Sequence, residues 1–327
     1  MLVNLHTHLE GNVRPTTAGA LTEKLGLSQP AGGWVDALQL DAPSNLTIYL
    51  EKVASTYPLF SDRESLTRIT REAVEDAAAD GQSYLELRFG PATHTTENFG
   101  LDEVIAAVCE GARQGSDASG MPAGVVVAAL RLHDSELNEA VARSAARFAD
   151  AGVVGFDLAG DELRFAALEP FVGAFGIARA AGLGVTCHAA EAGPASAALE
   201  AVALLGATRI GHGAHLTDDP EALKRIAGDG IVVEVCPTSN WYTGAIGAIA
   251  GHPAPAFRAA GVALVLGDDN PRQTGSTLSH EHRVLSDQLG FDAAALADLA
   301  ETSVRAGFMA DSVRRELRAQ LAATLAR

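Results

Sequence analysis

The sequence predicts a (β/α)₈ barrel, on three observations. Short, nearly continuous apolar runs recur along the chain, the pattern of strands buried on both faces. Ala-rich stretches of helical period separate them. Those stretches often end at a glycine just before the next apolar run (Gly81, Gly152, Gly182, Gly206, Gly230, Gly261), the expected helix stop. At about 150 residues per domain, 327 residues would suggest two domains. Eight strand-then-helix repeats instead fit one barrel domain over 1–327, although a doubly wound open sheet gives a similar string.

Taken in order, strands are expected at 2–8, 83–89, 125–132, 153–158, 184–188, 209–212, 231–236 and 262–266. Helical periodicity falls at 64–80, 101–114, 136–151, 165–181 and 195–205. The first connection, 9–62, is long and carries Pro15, Pro30, Pro43 and Pro58 among helical pieces. A segment of that size after a first strand is a candidate lid, with Trp34, Tyr49, Tyr57 and Phe60 as possible apolar walls. The tail, 291–327, reads as one or two amphipathic helices outside the barrel.

Composition excludes several classes. A 47% hydrophobic fraction with 20% charged residues supplies a large core and rules out a disordered acidic chain. Twenty-four Lys and Arg against 41 Asp and Glu give −17, the wrong sign for binding a nucleic-acid backbone. Cys109, Cys187 and Cys236 are too few for a disulfide framework and read as buried thiols. No signal peptide is recognisable at the N-terminus, and no run nears the roughly 20 apolar residues of a membrane span. A cytoplasmic protein is expected.

Chemically competent residues gather at strand ends, where barrels place their active sites. His6 and His8 lie two apart on a strand and so face the same way. The fifth strand ends in His188, with Glu191 three residues on at an expected helix start; the sixth ends in His212, and the eighth in Asp268-Asp269. Adjacent carboxylates at a buried strand end are costly without a cation or a proton. Three imidazoles and one carboxylate from this set would form a borderline-hard divalent site, zinc first, whereas magnesium would not need three histidines.

Six segments carry a resemblance: Asn4 to Gly11, Asp157 to Glu162, His188-Ala189-Ala190-Glu191, Arg209 to Gly213, Cys236-Pro237-Thr238-Ser239-Asn240, and Asp268-Asp269 near a proline. Together, in this order, they resemble the adenosine deaminase family of the metal-dependent amidohydrolase superfamily. The resemblance implies hydrolytic deamination of a 6-aminopurine nucleoside, adenosine first, by metal-bound hydroxide attack at C6. It implies one Zn²⁺ per chain on His6, His8, His188 and Asp268. Glu191 would protonate N1, and His212 would orient the water and take its proton. Asp269 would meet N7, the Gly160 backbone would meet N3, and Glu10 stands at the position that reaches the ribose. The implied partner is a small purine nucleoside, not a nucleic acid or a membrane. Cytidine and nucleic-acid deaminases use paired cysteines, which are absent here.

Departures bear on the substrate. Glu10 replaces the Asp usual in adenosine deaminases and matches members acting on free adenine. Ala190 replaces a Gly beside the acid, and Asn270 reads as an insertion between the Asp pair and Pro271. Free adenine and N6- or 5′-modified adenosines are therefore alternatives. A cyclic amide or ester hydrolase with two metals on a carboxylated lysine is a further one, disfavoured because Asp157 ends the fourth strand.

Other polar residues have plainer expectations. His133 is a rim residue, His94 a loop residue, His215 a cap and His252 a turn residue. His280 and His282 sit two apart on a helix, about 200° around, and so cannot share a metal. Gly244, Trp241 and Tyr242 either line the cleft or pack the seventh loop. Glu86 and Arg88 read as a buried ion pair, and Asp161 and Glu162 as helix-start carboxylates.

Overall fold

The computed structural model describes residues 1–325. Eight parallel strands follow one another round a barrel in chain order: β1 (Leu2–His8), β2 (Gln82–Phe89), β3 (Ala123–Leu130), β4 (Val153–Ala159), β5 (Gly184–Ala189), β6 (Arg209–His212), β7 (Val232–Val235) and β8 (Ala263–Leu266). This is the (β/α)₈ barrel the apolar runs predict. Each pair of neighbours is parallel, which forces a crossover through a helix on the outer face. The ring closes where Thr7 bridges Asp269: His8 N donates to Asp269 O at 2.7 Å, and Asp269 N donates to His6 O at 3.0 Å.

The segment after β1 forms α1 (Pro15–Lys24), α2 (Gly33–Leu38) and α3 (Leu46–Ala54). The outer layer continues with α4 (Arg63–Ala79), α5 (Leu101–Ser119), α6 (Ser135–Arg147) and α7 (Val172–Ala180). It then runs through α8 (Ser196–Glu200), α9 (Pro220–Gly228), α10 (Pro237–Tyr242) and α11 (Ala254–Ala259). After β8 come α12 (Pro271–Thr274), α13 (Leu278–Asp287), α14 (Ala293–Ala306) and α15 (Asp311–Leu325). The expected tail is helical in Ala293–Ala306 and Asp311–Leu325, and its last two residues lie outside the described residues. The expected helix at 165–181 starts only at Val172, because Pro170 lacks an amide donor and opens a short 3₁₀ turn instead. Among the described residues no helix is long and apolar enough to cross a membrane.

The main core packs the outer faces of the strands against α4 to α7, around Leu87, Val127, Phe156 and Phe175. The barrel interior is ionic. Arg88 donates to Asp157 at 3.1 Å and to Glu234 at 2.9 Å, while Arg209 donates to Glu86 and to Glu234, each at 2.6 Å. All five side chains are essentially fully buried. The expected Glu86–Arg88 pair is thus corrected. The two share a face, but each head meets charges arriving from β4, β6 and β7. Glu234 also accepts from Thr186 at 2.8 Å and lies 2.6 Å from His6 Nδ1.

Removing one member of a buried charge network leaves the others uncompensated. Glu234→Gln is expected to cost about 3 kcal/mol in denaturant unfolding of the chelator-treated protein. A loss below about 1 kcal/mol would show that Glu86 and Asp157 suffice for both arginines.

Candidate active site and metal centre

The carboxyl ends of the strands open into one cavity of about 440 Å³. His6 and His8 extend from β1 as period two requires, and His188 joins them from β5. Ligand atoms of His6, His8, His188 and Asp269 all lie within 4.8 Å of one another. Asp269 Oδ1 is 3.4 Å from His6 Nε2 and 3.3 Å from His8 Nε2, and His8 Nε2 is 3.2 Å from His188 Nε2. Three imidazole nitrogens cannot converge like this through hydrogen bonds alone, and the buried His6 Nε2 has no hydrogen-bond partner. The outer nitrogens are anchored: His6 Nδ1 by Glu234 at 2.6 Å and His188 Nδ1 by Asp157 at 3.0 Å. Carboxylates holding the far nitrogen orient histidines as metal ligands, so the donor set fits a divalent ion.

Asp268, expected in this cluster, lies elsewhere. Its Oδ1 accepts from Asn4 Nδ2 at 2.9 Å, and it faces a separate recess beside Asp76 and Asp80. The cause is the barrel closure: pairing with Thr7 lifts Asp269 onto the rim, and a φ of 57° turns its side chain inward. Asn270 is then no insertion. It takes the place beside the cluster that the second carboxylate was expected to fill, lining the cavity with its Nδ2 donating to Asp269 Oδ1 at 2.9 Å.

Among the described residues three non-glycines have left-handed φ: Ala190 (53°), His212 (67°) and Asp269 (57°). Each costs of order 1–3 kcal/mol, and all three flank the cluster, where surrounding bonds over-determine them. Ala190 shows why a glycine would be at ease there. Glu162 holds that loop by accepting from the amides of Ala190 at 3.1 Å, Gly193 at 2.7 Å and Ala192. Glu162 is therefore a clamp on the loop carrying Glu191, not a helix-start charge. Glu191 itself sits in that bend ahead of α8, not at a helix start.

Glu191 lines the cavity, buried. It accepts from Thr243 Oγ1 at 3.0 Å and Asn240 Nδ2 at 3.4 Å, with His212 Nε2 3.7 Å away. Burial, then the nearby Asp269 charge, push its carboxyl up to about 8. His212 is also buried, which holds its imidazole well below the usual range. Burial pushes Asp268 up to about 6, against the bond from Asn4.

Glu10 is among the residues lining the cavity. Its Oε1 accepts from Gly90 N at 3.0 Å and meets His94 Nε2 at 2.9 Å, while Oε2 has no partner. His94 is therefore a buried anchor for Glu10, not a loose loop residue. Gly160 lines the opposite wall with a φ of 114°, a backbone state suited to glycine. Leu46, Leu50, Val53 and Tyr57 of the 9–62 segment line the cavity, together with Leu130 and Phe165. Of the expected aromatic walls, Tyr49 and Tyr57 line the cavity and Tyr49 donates to Asp269 at 3.0 Å. Trp34 instead donates to Thr22, and Phe60 stacks on His94. Trp241 and Tyr242 pack on each other away from the cavity lining, and Gly244 approaches Ser44 too closely for a Cβ.

The adenosine deaminase family model matches residues 2–324 of the chain. The chain belongs to the adenosine deaminase family. It is a hydrolase acting on C–N bonds. The adenosine deaminase of Vibrio vulnificus (strain YJ016) is 32% identical over 320 residues, 96% of each chain. Among solved structures, an adenine deaminase from Arthrobacter aurescens superposes with a TM-score of 0.91 at 25% identity, covering 100% of this chain and 99% of its own. An amidohydrolase from Burkholderia ambifaria with bound Zn gives a TM-score of 0.89 at 26% identity, covering 99% and 92%. Family membership implies a metal, and the His6, His8, His188 and Asp269 cluster is where this chain offers ligands for one.

Proposed function

We propose that this member of the family deaminates adenosine to inosine and ammonia, using one zinc ion held by His6, His8, His188 and Asp269. The observation that carries the reading is the juxtaposition, in one cavity, of that cluster with the buried carboxyl of Glu191. A zinc ion held there supplies Lewis acidity and brings water near neutral ionisation. The remaining work belongs to side chains. Glu191 holds a proton at neutral pH and donates it to N1, which makes C6 electrophilic. His212 orients the water. As the water oxygen bonds C6, one of its protons returns to the Glu191 carboxylate; the C6–N bond then breaks as the remaining hydroxyl proton passes to the departing NH₂, leaving a C6 carbonyl, an N1–H and ammonia.

Substrate contacts follow the corrected register. Asn270 keeps one amide N–H on Asp269 and offers the other to N7, a donor that needs no protonated carboxyl. The unpartnered Glu10 Oε2 can accept from a ribose hydroxyl, and the Gly160 backbone faces N3. The cavity leaves room for a ribose beyond the purine, between apolar walls from α3 and Phe165. Residues 9–62 act as the lid over this cavity.

Glu10 also supports a second reading, free adenine, since a carboxylate that reaches further could meet the base's N9–H. A panel of adenosine, adenine and N6- or 5′-substituted adenosines, read by ammonia release, separates them. Adenosine is expected to have the highest kcat/KM. A preference for adenine by more than about tenfold would overturn the nucleoside assignment. No turnover of any 6-aminopurine by zinc-loaded protein would overturn the reaction.

A further inference from the structure

Behind the cavity runs a buried hydrogen-bond chain that begins at His252, a residue outside the cavity lining. His252 precedes α11, and its Nδ1 accepts from the backbone amide of Ala254 at 3.1 Å. A backbone N–H can only donate, so His252 Nδ1 carries no proton and the neutral ring carries it on Nε2. That nitrogen lies 3.2 Å from Asn240 Oδ1. The match fixes the Asn240 amide with its oxygen toward His252, because the reversed amide would set N–H against N–H. Asn240 Nδ2 then faces two acceptors, His212 Nδ1 at 3.1 Å and Glu191 Oε1 at 3.4 Å. His212 Nδ1 is therefore an acceptor, and the proton of its neutral ring resides on Nε2, 3.7 Å from Glu191 Oε2.

We propose that His252 is a positioning residue that, through Asn240, fixes the tautomer of His212 so that the ring presents an N–H to the reacting groups. Polarity is thus passed from one fixed backbone donor through two side chains to the active site. His212 serves the reaction as a hydrogen-bond donor to the attacking oxygen, in place of the proton acceptor that the family resemblance implies; the proton the water gives up goes to the Glu191 carboxylate, which has already passed its own proton to N1. The consequence for turnover rests on the deaminase reading; the tautomer does not.

Long-range ¹⁵N–¹H correlation spectra of metal-free protein labelled at histidine test this directly, with His212 assigned by the signal lost in His212→Phe. The expected result is a protonated Nε2 and a bare Nδ1 on His212. A proton on Nδ1 would overturn the proposal without any variant of His252. His252→Leu removes the donor to Asn240 and is expected to mix the tautomers and lower kcat about tenfold, with KM changed less than about twofold. His252→Gln, whose amide nitrogen can reach Asn240, should restore both. Asn240→Asp, which can only accept, should move the His212 proton to Nδ1. A His252→Leu protein with unchanged tautomer and kcat would also overturn the assignment. A correct tautomer in a protein that turns over no 6-aminopurine would refute the reaction while leaving the chain of bonds intact.

Discussion

Asp269→Asn is expected to strip the metal centre and lower kcat/KM about a thousandfold, whereas Asp268→Asn keeps both near the parent. Loss of several kcal/mol of charge stabilisation at the reacting carbon, taken as about 4 kcal/mol, corresponds to that factor. The two residues are neighbours with the same side chain, so the contrast isolates geometry. Asp269 is tied to β1 on both sides by the bonds to His6 and His8, and its carboxylate lies within 3.4 Å of two imidazoles. Those histidines hold it well below the usual carboxylate range despite burial. Asp268 shows the reverse: burial dominates, its carboxyl rises to about 6, and its partner is the neutral Asn4. A carboxylate that faces no cation is a poor candidate for a ligand. Metal content by elemental analysis, alongside steady-state kinetics, decides the matter. Zinc lost from Asp268→Asn and retained by Asp269→Asn would reverse the assignment.

The same pair marks the limit of what the sequence could tell. Buried strands announce themselves as apolar runs, and the two-residue period on β1 was enough to bring His6 and His8 together. At the end of β8 that rule fails, since Asp269 leaves the extended region with a φ of 57° and alternation no longer says which carboxylate points inward. Only the closure of β8 on β1 decides, and it joins residues more than 260 positions apart. Asn270 was misread as an insertion for the same reason. Long-range partners account for the other differences. Glu86 and Arg88 were visible as buried charges, but Arg209, Asp157 and Glu234 come from three further strands. Glu234, a lone acid in the apolar run Val232–Val235, was a signal that could have been used. Asn240 was legible as part of the 236–240 segment, but its link to His252 was not, because a turn histidine and a short helix near it have no spacing that reveals a shared bond.

Glu191→Gln is expected to reduce kcat by 10²- to 10⁴-fold while sparing the metal, the range for losing a positioned acid. The amide keeps the volume and can still meet Thr243, but has no proton to give N1. Its surroundings explain why a carboxyl can act as an acid at neutral pH. Burial and the Asp269 charge disfavour the ionised form, and the bond from Thr243 only partly offsets them, so the carboxyl is pushed up to about 8 before any metal binds. The sign for activity follows directly: the protonated form is the active one, so kcat/KM falls about tenfold per pH unit on the basic side of the Glu191 titration. Zinc in the centre adds a positive charge, which moves this limb toward lower pH and leaves its direction unchanged. Glu162→Ala provides a separate handle on the same group. It frees the amides of Ala190, Ala192 and Gly193, lets the strained loop relax, and is expected to lower kcat about 10- to 100-fold through misplacement of Glu191. The residual activity of Glu162→Ala should keep the basic limb, because its acid is displaced but present. Activity in Glu191→Gln within tenfold of the parent would assign the proton to another group, for which His212, 3.7 Å from Glu191 in the same cavity, is the first candidate.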